Sequence, residues 1–451
     1  MVSSGLQLDR AELRAMARIA SPLVMAEVGW MMMGVVDTMM VGRVGASAIG
    51  AVSLGTNLFY TIGIFASGLL LGMDTLVAQG FGAGDPQDCR HSLINGVWLA
   101  LFLIVPVMAV VELIIPMLAA LGIDPAVLRD TRPYMRALVW SAGPLLLYFG
   151  FRRYLQSVNL VRPVMVTLIT ANLVNLAGNW MLVFGNLGAP KLGAEGSGWS
   201  TCISRVYMMA VLGAVIWRSD RGLRQVSWRP DLARIRRLLA LGFPAAAQIG
   251  VEIGVFATVT VLVGRLGATP LAGHQIALTT VSMTFMMPLG ISSAAAVRVG
   301  QAIGRGDSTG AARSGWTALG LGASVMSCAA LALLVAPHFI ARLFTPDAAI
   351  IASGVALLRI AAFFQLFDGF QVVTTGALRA AADTRTPLIC HFVGYWLIGL
   401  PVGAFLCFYY RLGAPGLWVG LSTGLILIGI VLVAFWYRTV HALKYSRARA
   451  C

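Results

Sequence analysis

Charge is scarce in this chain. Of 451 residues only 11% are Asp, Glu, Lys or Arg, against roughly 25% in a soluble domain. Eighteen residues are acidic and five are histidine. So thin a supply excludes an ordinary water-facing surface and leaves little for acid–base or nucleophilic chemistry. His274 stands alone, no Ser/His/Asp or Cys/His set can be assembled, and no Walker-type phosphate loop occurs. The six cysteines (Cys89, Cys202, Cys328, Cys390, Cys407 and Cys451) lack metal-type spacing and read as free thiols. No segment is low-complexity, and strands have no evident place. The weakly apolar stretch Met1–Arg10 carries no sign of a cleavable signal peptide. Neither enzyme activity nor a cofactor is expected.

Apolar residues are abundant instead, at 58%. Runs long enough to cross ~30 Å of hydrocarbon recur twelve times, at roughly 16–40, 50–79, 92–118, 134–156, 163–187, 196–217, 240–264, 270–298, 312–337, 352–378, 387–409 and 415–437. The 50 glycines suit helices that approach closely in lipid. The expected fold is all-α, a polytopic membrane protein of twelve helices.

The chain is also one unit written twice. Val-Gly-Arg-Val-Gly-Ala-Ser at 41–47 returns as Val-Gly-Arg-Leu-Gly-Ala-Thr at 263–269, an offset of 222 residues. The same offset pairs Pro22 with Pro244, Gln79 with Gln301, Gly84 with Gly306, Asp85 with Asp307 and Asp9 with Asp231. Small indels follow: Arg136 and Arg359 match at 223. Residues 1–217 read as a first six-helix lobe, 218–238 as an Arg-rich cytoplasmic linker, and 239–451 as a second lobe with a tail. An even number of spans per lobe makes the repeats parallel, as in secondary transporters whose sites lie between duplicated halves.

The net charge of +15 reports topology rather than nucleic-acid binding. Seven arginines fall in the central link, from Arg218 to Arg237, and more flank the ends at Arg10, Arg14, Arg18, Arg438 and Arg447. The outer loops keep few basic residues, among them Arg43, Arg265 and Arg411. By the positive-inside rule both termini are cytoplasmic. The basic balance also suits anionic headgroups.

Carboxylates inside spans are the informative residues, because an ionisable group there costs ~2.5–3.5 kcal/mol on insertion scales and usually faces a cavity. Asp37, Glu252 and Asp368 lie well inside; Glu27, Asp74 and Glu112 are further candidates, each open to the alternative of a paired or interfacial acid. Asp37 falls opposite Val259 in the repeat and Glu252 opposite Trp30, so each lobe has acquired its own acid. Asn175 and Asn179 share a helix face and offer carbonyl oxygens suited to a proton or small hard cation, with Thr201 adding a hydroxyl. Interhelical hydrogen bonding is the plainer role for such amides. Pro22 and Pro244 mark symmetric bends, either static kinks or hinges. The clusters Trp30–Met33 and Met283–Met287 suit either lipid-facing packing or promiscuous apolar recognition.

With these residues in view, Gly42-Arg43-Val44-Gly45 after an acid, Gln79-Gly80-Phe81-Gly82-Ala83-Gly84, Leu271-Ala272-Gly273-His274-Gln275-Ile276, Arg298-Val299-Gly300-Gln301 and Gly376-Ala377-Leu378-Arg379 resemble the multidrug and toxic compound extrusion (MATE) family, NorM-like branch, over essentially the whole chain. The resemblance implies two six-helix bundles and export of organic cations in exchange for inward Na⁺ or H⁺. It implies coupling-ion residues Asp37, Asn175, Asn179, Thr201, Glu252 and Asp368. Substrate contact is implied at Asp37, Glu252, Asp368, Gln275 and Asp347. Glu252 and Asp368 would ligate metal only if Na⁺ is the coupling ion, and Phe364 stands where some Na⁺-coupled members place a tyrosine. Expected partners are small organic cations and the bilayer of a bacterial inner membrane, with no nucleic acid and a monomeric state. The competing reading is a lipid-linked precursor flippase of the same superfamily fold. The topology is testable: a protease site appended at either terminus should be cut from the cytoplasmic side of inverted vesicles, and cutting only from the periplasmic side would reverse the assignment.

Overall fold

The computed structural model describes residues 10–118 and 125–448; Asp9 of the repeat and Cys451 lie outside them. Regular structure there is helical, with no strand among the described residues. The first repeat gives α1 (Arg10–Val41), α2 (Ala46–Leu69), α3 (Gly72–Gly82), α4 (Pro86–Met117), α5 (Pro125–Val139), α6 (Ala142–Ser157), α7 (Val161–Leu182) and α8 (Ala194–Ser219). The second gives α9 (Leu232–Gly264), α10 (Ala268–Gly304), α11 (Ser308–Val335), α12 (Pro337–Arg342), α13 (Ala348–Ala380), α14 (Arg385–Tyr409) and α15 (Ala414–Ala448). The fold is all-α and multi-pass.

Repeated motifs become helix punctuation. Gly84 and Gly306 follow α3 and α10 with φ of 72° and 70°, the left-handed region where only glycine avoids a Cβ penalty. The next residues, Asp85 and Asp307, cap α4 and α11: their Oδ1 atoms accept from the backbone N–H of Asp88 at 3.0 Å and of Gly310 at 2.8 Å. Each such cap is worth about 1 kcal/mol.

Eleven of the described helical segments are long and apolar enough to cross a membrane, α2 and α3 counting as one. The remaining expected crossing is split. α5 carries Arg129, Asp130, Arg132 and Arg136, and the chain breaks at Trp140–Ser141 before α6 begins. Charge at one end and a break in the middle keep this segment below the apolarity of its neighbours, yet 125–157 would extend about 50 Å at 1.5 Å per residue.

Two compact units emerge, and their limits differ from the boundaries that composition suggests. One runs from Met25 to Ala246; the other joins the chain up to Val24 with the chain from Ala247 onward. α1 and α9 are therefore each divided, two residues beyond Pro22 and Pro244. The start of α1 packs with helices of the second repeat, and the start of α9 with those of the first.

Equivalent residues make the two exchanges. A Cβ on Gly68 would lie 2.8 Å from Ala246 Cα, and one on Gly290 2.6 Å from Val24 N. Gly68 and Gly290 are repeat partners, as are Ala246 and Val24, so each exchanged segment lies against a helix through the same glycine. Polar latches secure both segments. In the second unit Glu12 accepts from Arg298 Nε at 2.8 Å and Nη2 at 2.6 Å, and from Ser314 Oγ at 2.7 Å. In the first, Arg234 Nη2 pairs with Asp88 Oδ2 at 2.7 Å and donates to Ser92 Oγ. Glu12 and Arg234 are repeat equivalents, as are Ser314 and Ser92. The segment residue and the serine are copied, the charged partner comes from a different position, and the sign is reversed: the acid is on the exchanged segment in one latch and on a receiving helix in the other. Like charges would face each other if either segment docked at the wrong lobe.

Reversing one charge should expose this device. Arg298→Glu should lower the thermal midpoint of the purified protein, the lost charged hydrogen bonds being worth about 1.5–3 kcal/mol each, and adding Glu12→Arg should recover most of the loss. A double variant no more stable than the single would show that the pair does not hold the α1 segment.

Candidate functional site

Acids inside the helices divide by what they touch. Glu27 is buried against Arg152, and Asp74 pairs with Arg153 at 3.3 Å. Glu112 is exposed. These take the structural role that paired or interfacial acids ordinarily have. Asp37, Glu252 and Asp368 form no ion pair among the described residues. Amides and hydroxyls satisfy them instead.

In the first unit Asp37 projects from α1 toward α7 and α8. Asn179 Nδ2 donates to Asp37 Oδ1 at 2.7 Å and to Asn175 Oδ1 at 3.2 Å, and Thr201 Oγ1 donates to Asp37 Oδ2 at 3.0 Å. The helix-face argument thus brings together all four residues named from sequence. Small residues make the approach feasible: Ser200 Oγ donates to the Asn175 carbonyl at 2.8 Å, and a Cβ on Gly178 would fall 2.5 Å from Ser200 Oγ. Beside Asp37 is a cavity of about 170 Å³, lined by Thr56, Asn57, Tyr60, Tyr134, Thr201 and Arg205 among others. Tyr134 Oη and Thr56 Oγ1 lie 2.7 Å apart. Sequence reading missed Tyr60, Tyr134 and Arg205. Arg205 stands one turn beyond Thr201 on α8, mid-span, and counting only mid-span acids passed it over.

In the second unit Glu252 on α9 and Asp368 on α13 meet at one amide. Gln371 Nε2 lies 3.0 Å from Asp368 Oδ1, 3.3 Å from Tyr395 Oη and 3.4 Å from Glu252 Oε1. Gln248 Nε2 donates to Glu252 Oε2 at 3.1 Å from one turn earlier on α9. The other end of the bridging amide, Gln371 Oε1, is buried without a partner. Tyr395 comes from a π-helical stretch of α14, Phe392–Gly399, a widened winding often found at functional sites. Gln371 follows Asp368 by three residues, so the helical period was a signal for it; Tyr395 lies 24 positions beyond Gln371 and had none.

Other named residues lie apart. Asp347 is exposed and caps α13, accepting from the N–H groups of Ala349 at 2.8 Å and Ile350 at 3.2 Å. It precedes Asp368 by 21 residues, about 30 Å along the same helix. Gln275 is exposed on α10. Its neighbour His274 is buried, accepting at Nδ1 from Trp418 Nε1 at 3.0 Å. Its proton must then sit on Nε2, 2.9 Å from Thr260 Oγ1, which donates onward to the Phe256 carbonyl. This chain of donors ties α9, α10 and α15 together and leaves the imidazole structural. Phe364 is buried with its ring 6.2 Å from that of Trp418 and offers no oxygen to the acids. Pro22 and Pro244 lie inside helices that continue through them. No cluster of three or more His, Cys, Asp or Glu residues exists among the described residues. A cation at Glu252 and Asp368 would therefore draw further oxygens from amides or hydroxyls, as hard cations readily do.

Known proteins share this layout. The family model described as MatE matches residues 22–181 and again 244–405, once per repeat. The chain is 35% identical over 442 residues to a probable multidrug resistance protein NorM of Mesorhizobium japonicum, covering 96% of this chain and 95% of that one. It is 37% identical over 426 residues to the multidrug resistance protein NorM of Burkholderia vietnamiensis, with 92% of each chain covered. Among solved structures, the eukaryotic MATE transporter AtDTX14 superimposes with a TM-score of 0.87 at 18% identity, over 97% of this chain and 99% of that one. A MOP superfamily transporter from Pyrococcus furiosus superimposes at 0.85 and 19% identity, over 98% and 99%. Duplicated bundles, unpaired acids inside them and both halves of the family model agree: the chain is a membrane transporter rather than an enzyme, and it belongs to the MATE family.

Proposed function

We propose that this protein is an antiporter of a bacterial inner membrane that exports organic cations in exchange for inward H⁺ or Na⁺. The observation that carries the reading is the Glu252–Asp368 pair. Two carboxylates, Asp368 buried and Glu252 half-buried, joined by one amide and without a basic partner among the described residues, form an anionic centre open to neutralisation from outside. A proton, a small cation or a cationic drug can do so, and loading by one opposes loading by another, which is antiport. Tyr395 Oη lies beside the acids as a further oxygen for a hard cation, and Gln371 Oε1, buried without a partner, would join it on reversal of that amide. The inward ion gradient drives export, and the membrane potential adds ~2.3 kcal/mol per 100 mV for each charge that enters in excess of those leaving. Tyr395 and the neighbouring Phe256, ring centroids 6.1 Å apart, give an organic cation aromatic faces beside the acids.

Further parts of the reading rest on the family resemblance. Asp37, with Asn175, Asn179 and Thr201, takes part in coupling; Gln275 and Asp347 contact substrate on its way; Pro22 and Pro244 act as hinges. The protein works as a monomer with both termini in the cytoplasm. The names of the NorM relatives support multidrug export.

Asp368→Asn should reduce dye efflux from liposomes at least ten-fold, under both an imposed Na⁺ gradient and an imposed pH gradient, while the protein still inserts. Transport at the wild-type rate would remove Asp368 from the mechanism. Cells expressing the wild-type chain should tolerate ethidium-like dyes and cationic drugs better than cells lacking it. Protection confined to anionic compounds would overturn the cation assignment.

A further inference from the structure

Arg205 has no place in the exchange scheme above, and its surroundings are unusual for a guanidinium. It is 1% exposed, in the middle of α8, and lines the same cavity as Asp37. The other most deeply buried arginine, Arg152, pairs with Glu27. Arg205 has no carboxylate within ion-pair distance among the described residues. Its Nη1 donates to Ser141 Oγ at 2.5 Å, its Cζ lies 4.9 Å from the centroid of Phe59 and 5.8 Å from that of Tyr60, and its Nε is buried without a partner. Ser141 lies at the break between α5 and α6, and its Oγ accepts from Arg205 while donating to the Leu138 carbonyl at 2.5 Å. The guanidinium is thus a fixed cation, held by a hydroxyl and two aromatic faces, whose nearest source of negative charge on the cavity wall is Asp37.

Asp37 is already provided for. One of its oxygens accepts from Asn179 and the other from Thr201. Asn179 presents its N–H₂ to both Asp37 and Asn175, and its own carbonyl oxygen is turned away and unpartnered. A metal ion here would need that amide to reverse, as it would Gln371 in the second lobe, so Arg205 is what sets the two lobes apart. An arriving cation would also meet Arg205 as a like charge in a site of low dielectric. With Asp37 ionised the cavity is already neutral.

We propose that Arg205 is a tethered cation that determines the ion specificity of the first-lobe cavity, balancing Asp37 and denying that cavity to free Na⁺ and to cationic substrates. The inference deepens the exchange reading by assigning free-cation binding to the second lobe alone. In the first lobe the protein supplies its own cation, and Asp37 is left to exchange only a proton.

The experiment builds a site and then removes it. Binding of Na⁺ and of ethidium to purified full-length protein is measured by titration calorimetry and dye fluorescence, in the background Glu252→Gln/Asp368→Asn. That background should bind neither cation. Adding Arg205→Met should create a new binding event for at least one of them, tightened at least ten-fold over the background, and Asp37→Asn should abolish it. Arg205→Lys in the same background should create none. Arg205→Gln is the second variant, keeping a polar group against Ser141 where Met fails to fold. The proposal is overturned if the background binds cation and loses it on Asp37→Asn with Arg205 in place. It is equally overturned if folded Met or Gln variants gain no Asp37-dependent binding. Failure of the second-lobe reading shows separately, as a wild type that binds no cation.

Discussion

A charge within an apolar bundle must find a partner, and the structure is organised by how each such charge finds one. Transferring an unpaired ion from water to a medium of low dielectric is far more costly than any single packing contact can offset. Glu27 meets that demand with Arg152, Asp74 with Arg153, Glu12 with Arg298 and Asp88 with Arg234. These are fixed pairs, and each ties one helix to another. Asp37, Glu252 and Asp368 are met only by neutral donors. A neutral donor lowers the cost of a carboxylate without cancelling its charge, so the charge of Glu252 and Asp368 has no fixed counter-ion, while Asp37 shares its cavity with Arg205. The acids inside the helices thus separate into those with ionic partners and those with amide or hydroxyl partners.

Duplication supplies the frame, and divergence within it supplies the function. Gly68 and Gly290 make the same close approach in their respective units, and Ser92 and Ser314 receive the same latch residue position. These are features the repeat copied. The charges of the latches are inverted, and the acids without an ionic partner are not copied: Asp37 corresponds to Val259 and Glu252 to Trp30. The Trp30 ring stacks on Tyr148 at a centroid distance of 6.1 Å, and Val259 is fully buried. Each position that holds an acid in one lobe is ordinary packing in the other. The helical frame therefore tolerates either occupant, and packing alone does not call for an acid at these positions.

Departures from regular helix occur where the two centres need residues that a straight helix would not deliver. Ser141, at the break Trp140–Ser141, accepts from Arg205, and Tyr395, in the π-helical turns of α14, places its hydroxyl 3.3 Å from Gln371 Nε2. A wider turn and a helix break each expose backbone that lipid could not satisfy. Both occur in segments whose key side chains, Ser141 and Tyr395, are fully buried in protein.

Much of this was legible along the chain. Hydropathy is a local property, so membrane location, helical class, the twofold repeat and the family could be read directly; the expected span 134–156 is less apolar than the others because Arg136 lies at one end, Arg152 and Arg153 at the other, and the helix breaks at Trp140–Ser141. Helical period placed Asn175 and Asn179 on one face, and their partnership with Asp37 and Thr201 followed. Which acids would be neutralised by arginine was not legible, because Glu27 and Arg152 are 125 residues apart and Glu12 and Arg298 are 286 apart. The exchange of the α1 and α9 starts between units was hidden for the same reason, since composition marks where the chain passes between lobes and not what each segment packs against. Arg205 looked like one more basic residue in a basic chain until the cavity beside Asp37 gave it a neighbour. The sequence by itself determined the solvent, the helices, the duplication and the candidate acids, all set by local composition and period. Only the tertiary structure decided which charges are paired, which remain open and which cation lies beside Asp37, because a charge is neutralised by proximity in space.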